Sequence, residues 1–201
     1  PMAPSNQDID ALIANARSEF DRTTVVQEDP GTDPRFEVYH AFMSVCSQKV
    51  RMALHEKGVP YLSNDMVIVS GKGVFSEEFS IAENYRPGYV RLRSHGAGPD
   101  LMSKLATGHT MRTRVKTEGF DACVVPTLVD LEKRQVVVDS SVIVEYIDRE
   151  VLSGTKLMPA GPLEAEIRRQ IKINDGIPMG GILYGVHKDD PRPDFMKAAM
   201  D

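Results

Sequence analysis

The chain has 201 residues, 41% of them hydrophobic, and a formal net charge of −5. That apolar content can fill a sizeable core in one or two domains, and the acidic balance argues against nucleic acid or an anionic membrane as the main partner. No apolar run approaches the roughly 18 residues of a membrane span, and residues 1–7 lack the basic flank and apolar stretch of a signal peptide.

Two cysteines, Cys46 and Cys123, are too few for a disulfide framework, and the five histidines fall in no zinc spacing. The expectation is a cytoplasmic chain with reduced thiols and no metal; a Cys46–Cys123 pair is the alternative for the thiols.

In chain order, Ile9, Leu12, Ile13, Ala16 and Phe20 recur in steps of three and four and predict a helix over residues 8–21. Residues 25–34, polar and broken by Pro30, Gly31 and Pro34, read as a linker. The first helix is therefore expected to be an appendage. Residues 35–40 alternate as a strand, and residues 47–57 turn helical with Val50, Ala53 and Leu54 on one face. Gly58 is placed as the helix C′ residue, followed by Pro60. Residues 61–69 predict a second strand, parallel to the first after a helical crossover.

Residues 70–121 are long for a connection inside a compact fold, and residues 76–83 are expected to be helical. Residues 124–129 and 135–138 predict an antiparallel hairpin, and Ser140 is read as the cap of the next helix. Residues 162–174 predict another amphipathic helix. The order β-α-β, insertion, β-β-α matches a thioredoxin-like α/β domain. The expected organisation is a helical extension over 1–34, the thioredoxin-like domain over 35–152, and the beginning of an all-α domain over 153–201.

Chemistry concentrates at Phe42-Met43-Ser44-Val45-Cys46-Ser47-Gln48-Lys49-Val50-Arg51, where a strand passes into a helix. A thiol at a helix start beside cations has a depressed pKa and suits sulfur chemistry; the plainer reading is a packing cysteine. Cys123, among valines, reads as packing. Pro126 interrupts an apolar run. It is either a trans proline at a strand edge or a cis proline at a site edge, where Val125 can offer its N–H and C=O to a peptide-like ligand. Cys46 after the first strand and the hairpin after Pro126 favour cis. Asp139 and Ser140 open a helix, an arrangement that can bind a carboxylate and an ammonium, or can simply cap.

Cationic residues from Arg86 to Lys116, Arg93 among them, form either a lid over an anionic substrate or a solvated loop. His40 and Tyr184 either face a substrate or pack.

Ser44-Val45-Cys46-Ser47, Val125-Pro126-Thr127-Leu128 and Asp139-Ser140 followed by Ile143 together resemble the cytosolic glutathione transferases. The Ser-x-Cys-Ser start is similar to the zeta-type branch. Glu83-Asn84-Tyr85, Tyr89-Val90-Arg91-Leu92-Arg93, Glu118-Gly119-Phe120 and Leu183-Tyr184-Gly185 more closely resemble the glutathione-dependent reductive dehalogenases of chlorinated hydroquinones, of the dichlorohydroquinone dechlorinase type.

The resemblance implies a glutathione-binding domain followed by the start of an all-α glutathione-transferase C-terminal domain. That second domain is shorter here than in the family, so the chain is read as a fragment or as lacking part of the mature protein. By position, Val125 and Pro126 would hold the cysteinyl backbone of glutathione. Asp139 and Ser140 would hold its γ-glutamyl end, Ser44 would help ionise its thiol, and Cys46 would be the enzyme's nucleophile. Glutathione would be the co-substrate and a halogenated aromatic the substrate, in a homodimer without metal. The alternatives are a cis–trans isomerase of maleylacetoacetate type, a conjugating transferase, or a non-catalytic glutathione-fold module.

Overall fold

The computed structural model describes residues 6–20, 22–27, 33–68, 81–102 and 121–175. The strands are β1 (Thr24–Val26), β2 (Phe36–His40), β3 (Tyr61–Asp65), β4 (Thr127–Asp130) and β5 (Gln135–Val138). The helices are α1 (Asn6–Arg17), α2 (Val45–Lys57), α3 (Pro87–Met102), α4 (Ser140–Glu150) and α5 (Pro162–Asp175). The sheet order is β1-β3-β2-β4-β5. β2 and β3 are parallel across α2, while β4 runs antiparallel to both β2 and β5. This is the expected thioredoxin-like order.

Both faces of the sheet are covered, so β2 is buried along its whole length. On one face Phe36, Val38, Leu128 and Val137 pack against Val50 and Leu54 of α2 and Ile143 and Ile147 of α4. On the other, Tyr39, Val129 and Val136 pack against Ile9, Ile13 and Ala16 of α1 and Tyr89 and Leu92 of α3. A strand covered on both sides loses the in–out alternation that reveals a half-buried one. Gly58 ends α2 in the left-handed conformation, φ 63°, as its sequence position predicts. Gly96 lets α3 lie against β5, since a Cβ there would come within 2.7 Å of Val136 Cγ1.

Several expectations are corrected. α1 is part of the core rather than an appendage. Its Arg17 donates two Nε bonds and one Nη2 bond to the wholly buried carboxylate of Glu37 in β2, the closest at 2.6 Å. The expected linker begins inside β1, which pairs antiparallel with β3 through Val25 opposite Leu62. The strand expected from residue 124 begins only at Thr127, after the proline. The connection from 70 to 121 contains α3, a core helix kinked at Gly98, φ 68° and ψ 172°. Of the helix expected over 76–83, residues 76–80 lie outside the described set, 81–82 are not helical, and Glu83 opens the 3₁₀ turn Glu83–Tyr85. The cap of α4 is Asp139, whose side chain accepts from Ser141 N, and not Ser140. α5 runs to Asp175, and residues 176–201, with Tyr184, lie outside the described set.

Candidate active site

Strand register gathers the chemistry. Tyr39 of β2 lies opposite Thr127 of β4, and Thr127 lies opposite Val138 of β5. The segment leaving β2 toward Cys46, the segment entering β4 through Pro126, and the segment leaving β5 through Asp139 therefore meet at one edge of the sheet. Three stretches, the first of them 80 positions before the second, become neighbours through three aligned strand ends.

Ser44 is the N-cap of α2, with extended backbone, φ −82° and ψ 119°, and its Oγ accepts from Ser47 N at 3.3 Å. The turn before it is well fixed. Phe42 N donates to Asp65 Oδ1 at 2.9 Å, Ser44 N donates to Ala41 O at 3.0 Å, and Gln48 Nε2 donates to Phe42 O at 2.9 Å. Cys46 occupies the first turn of α2, half-buried and outside any disulfide, at the positive end of the helix dipole. Phe42, Met43 and Val45 surround this turn as exposed apolar side chains.

The Val125–Pro126 peptide is cis. Asp139 stands at φ 75° as the N-cap of α4, and its Oδ1 accepts from Ser141 N at 3.0 Å. Ser140 is buried at the first helical position. Lys49, one turn beyond Cys46, donates from Nζ to Ser141 Oγ at 2.8 Å. The starts of α2 and α4 are thereby joined. Nothing in the spacing of Lys49 and Ser141 along the sequence reveals that the two helices lie side by side.

Cys123, half-buried, is not in a disulfide either. Burial, reinforced by Asp121, pushes its thiol pKa up against the opposing pull of Arg93. A neutral thiol is a poor nucleophile, which fits Cys123 to packing rather than to chemistry. His40 is buried at the end of β2; its Nε2 is 2.7 Å from Ser63 Oγ and its Nδ1 3.6 Å from Asp65 Oδ1. Burial lowers its pKa to about 4, with Asp65 opposing and Arg51 adding to the shift. It sits inside the sheet end and presents no exposed ring edge to a substrate.

Two of the cations left open between a lid and a solvated loop are engaged with the protein itself. Arg93 is 2% exposed and bonds backbone carbonyls near the cis proline. Arg86 donates to Glu83 and to the Glu19 carbonyl beside α1. Among the described residues no group of three or more His, Cys, Asp or Glu side chains could hold a metal ion. No helix among them is long and apolar enough to cross a membrane.

A thioredoxin-like sheet with a thiol at the start of α2 and a cis proline at the start of β4 defines the class of thiol-handling domains. The family model for the glutathione S-transferase N-terminal domain matches residues 43–150, and the chain belongs to that family. Two curated relatives, both named 2,5-dichlorohydroquinone reductive dechlorinase and both from strains of Sphingobium indicum, are 39% identical over 184 residues. The match covers 88% of this chain and 48% of each relative, so the chain spans about half their length. Among solved structures, the Xi glutathione transferase ECM4 from Saccharomyces cerevisiae in complex with glutathione is similar over 89% of this chain and 61% of that one. Its identity is 16% and its TM-score 0.43.

Proposed function

We propose that this chain is the glutathione-binding part of a glutathione-dependent reductive dehalogenase of halogenated hydroquinones. The observation that carries the reading is the meeting of Ser44 and Cys46 with the Val125–Pro126 loop and the Asp139–Ser140 helix start at one sheet edge. The names of the 39% identical relatives support the substrate class.

In this reading Val125 pairs with the cysteinyl backbone of glutathione, beside Pro126. Asp139 receives the γ-glutamyl ammonium, and Ser140 with the N–H groups of α4 receives its carboxylate. Ser44 Oγ hydrogen-bonds the glutathione sulfur and favours its thiolate. That thiolate displaces halide from the ketone tautomer of the hydroquinone, forming a carbon–sulfur bond with no net redox change. The Cys46 thiolate then attacks the adduct sulfur. The electrons of the carbon–sulfur bond leave with the ring carbon, which takes a proton. The ring is reduced by two electrons, and Cys46 holds glutathione in a mixed disulfide. A second glutathione exchanges onto that disulfide, freeing Cys46 and releasing glutathione disulfide. Assembly as a cytoplasmic homodimer and the division into extension, thioredoxin-like domain and helical domain belong to the same reading.

The Ser44-x-Cys46-Ser47 start also suits an isomerase, which adds and expels the thiol without redox change. Incubation of the chain with a glutathionyl-hydroquinone, followed by peptide mass mapping, separates the two. The dehalogenase reading expects free hydroquinone and a glutathione adduct on Cys46, both lost in Cys46→Ser. Hydroquinone release that persists in Cys46→Ser overturns the role given to Cys46.

A further inference from the structure

We infer that Asn84, Tyr89 and Arg93 are positioning residues that hold the segment 121–126 in its glutathione-binding shape. The inference rests on the reading of Val125 as the partner of glutathione.

Three buried side chains around the start of α3 reach this segment from behind. Arg93 Nε donates to Asp121 O at 2.9 Å, and Arg93 Nη1 donates to Pro126 O at 2.8 Å and to Thr127 Oγ1 at 3.2 Å. Tyr89 OH donates to Val124 O at 2.5 Å and lies 3.1 Å from Thr127 Oγ1. Asn84 Nδ2 donates to Cys123 O at 2.5 Å. The carbonyls of residues 121, 124 and 126 are thus drawn to α3, and that of residue 123 to the 3₁₀ turn before it. The N–H and C=O of Val125 take part in none of these bonds.

The choice of residue types supports a positioning role. Merely filling the space under the loop would suit a leucine, which has no charge to desolvate. A guanidinium instead carries several donors in a rigid plane, so one side chain can grip both ends of the segment, at Asp121 and Pro126. A lysine presents a point charge on a flexible stem and cannot fix the two carbonyls relative to each other. Tyr89 and Arg93 both meet Thr127 Oγ1, which makes these two side chains one network with the first residue of β4. The motif Glu83-Asn84-Tyr85 with Tyr89 through Arg93 thereby acquires a task that its spacing alone did not reveal.

The test is calorimetric titration of the chain with S-methylglutathione, for Tyr89→Phe, Arg93→Lys and a control, Ile13→Val, whose side chain packs in the same core and makes no hydrogen bond to the loop. Alkylation rates of Cys46 and Cys123 by iodoacetamide are followed by peptide mapping. The expected result is affinity weakened about tenfold in both loop variants, the size of one misplaced hydrogen bond. Cys123 should alkylate faster and Cys46 unchanged, because the start of α2 is held by its own bonds. Ile13→Val should lower the melting temperature and leave affinity unchanged. Binding by both loop variants equal to that of the parent chain overturns the inference and leaves the glutathione reading standing. A parent chain that does not bind S-methylglutathione overturns both.

Discussion

The Nζ of Lys49 lies 2.8 Å from the Oγ of Ser141, so the helix that carries Cys46 is tied to the helix that Asp139 caps. The tie sets the distance between the place proposed for the glutathione sulfur and the place proposed for its γ-glutamyl end. Lys49→Met and Ser141→Ala are each expected to weaken S-methylglutathione binding roughly fivefold. The double variant is expected to be weaker by less than the product of the two, with a coupling of about 0.5–1 kcal/mol. Isothermal titration of the four proteins checks this; strict additivity would show that the bond does no joint work.

Ser44 has two separable duties. As N-cap of α2 its Oγ accepts from Ser47 N, and Ser44→Ala is expected to lower stability by about 1 kcal/mol in denaturant melts. As partner of the glutathione sulfur, its loss should raise the pKa of the bound thiol, read from the ultraviolet absorption of the thiolate. Ser44→Asp would restore the cap, while its negative charge would disfavour the thiolate. A bound-thiol pKa unchanged in both variants would remove Ser44 from the chemistry.

His40 gives the fold an acid limb. Its folded pKa is lowered to about 4 from an ordinary value of 6.5, chiefly by burial. The unfolded chain therefore takes up a proton at pH values where the native ring stays neutral. The stabilising contribution is complete above pH 6.5 and is lost as pH falls toward 4, to a total of about 3 kcal/mol at most. Urea midpoints of the parent chain should fall across this window, and His40→Gln should flatten the fall. An equal slope in the variant would assign the acid limb to other groups.

Arg17 and Glu37 test the place of α1 in the core. Glu37 has no exposed side-chain surface, and Arg17 and Asn64 Nδ2 supply its donors. Arg17→Met leaves a buried carboxylate short of its cation and is expected to destabilise by about 3 kcal/mol. Adding Glu37→Gln should recover part of that loss, because the neutral amide costs less to bury unpaired. A near-neutral Arg17→Met in chemical denaturation would return α1 to the status of an appendage.

Much of this protein is legible in its residues alone. Local rules placed α2, because the apolar steps at Val50, Ala53 and Leu54 and the glycine at position 58 are short-range signals. The hairpin of β4 and β5 was equally local, bounded by a four-residue turn. Pro126 was legible as an anomaly, since proline inside an apolar run demands an explanation, and the cis peptide supplies it. The order of these elements, with the Ser-x-Cys-Ser start, sufficed to indicate the family.

What tertiary structure decided lies where the information is non-local. β1 is three residues long and is a strand only because β3 offers it an edge. α3 buries the charged Arg93, so its periodicity is faint, and Arg93, open between a lid and a solvated loop in the sequence, is placed only by Asp121, Pro126 and Thr127 closing around it. The register of Tyr39, Thr127 and Val138 is a property of three strands together, and it alone brings Ser44, Cys46, Val125 and Asp139 to one edge. Residue types and short spacings name the chemical groups, because local propensity is set within a few bonds. Their meeting depends on backbone pairing and on buried donors finding acceptors dozens of residues away, which no single segment encodes.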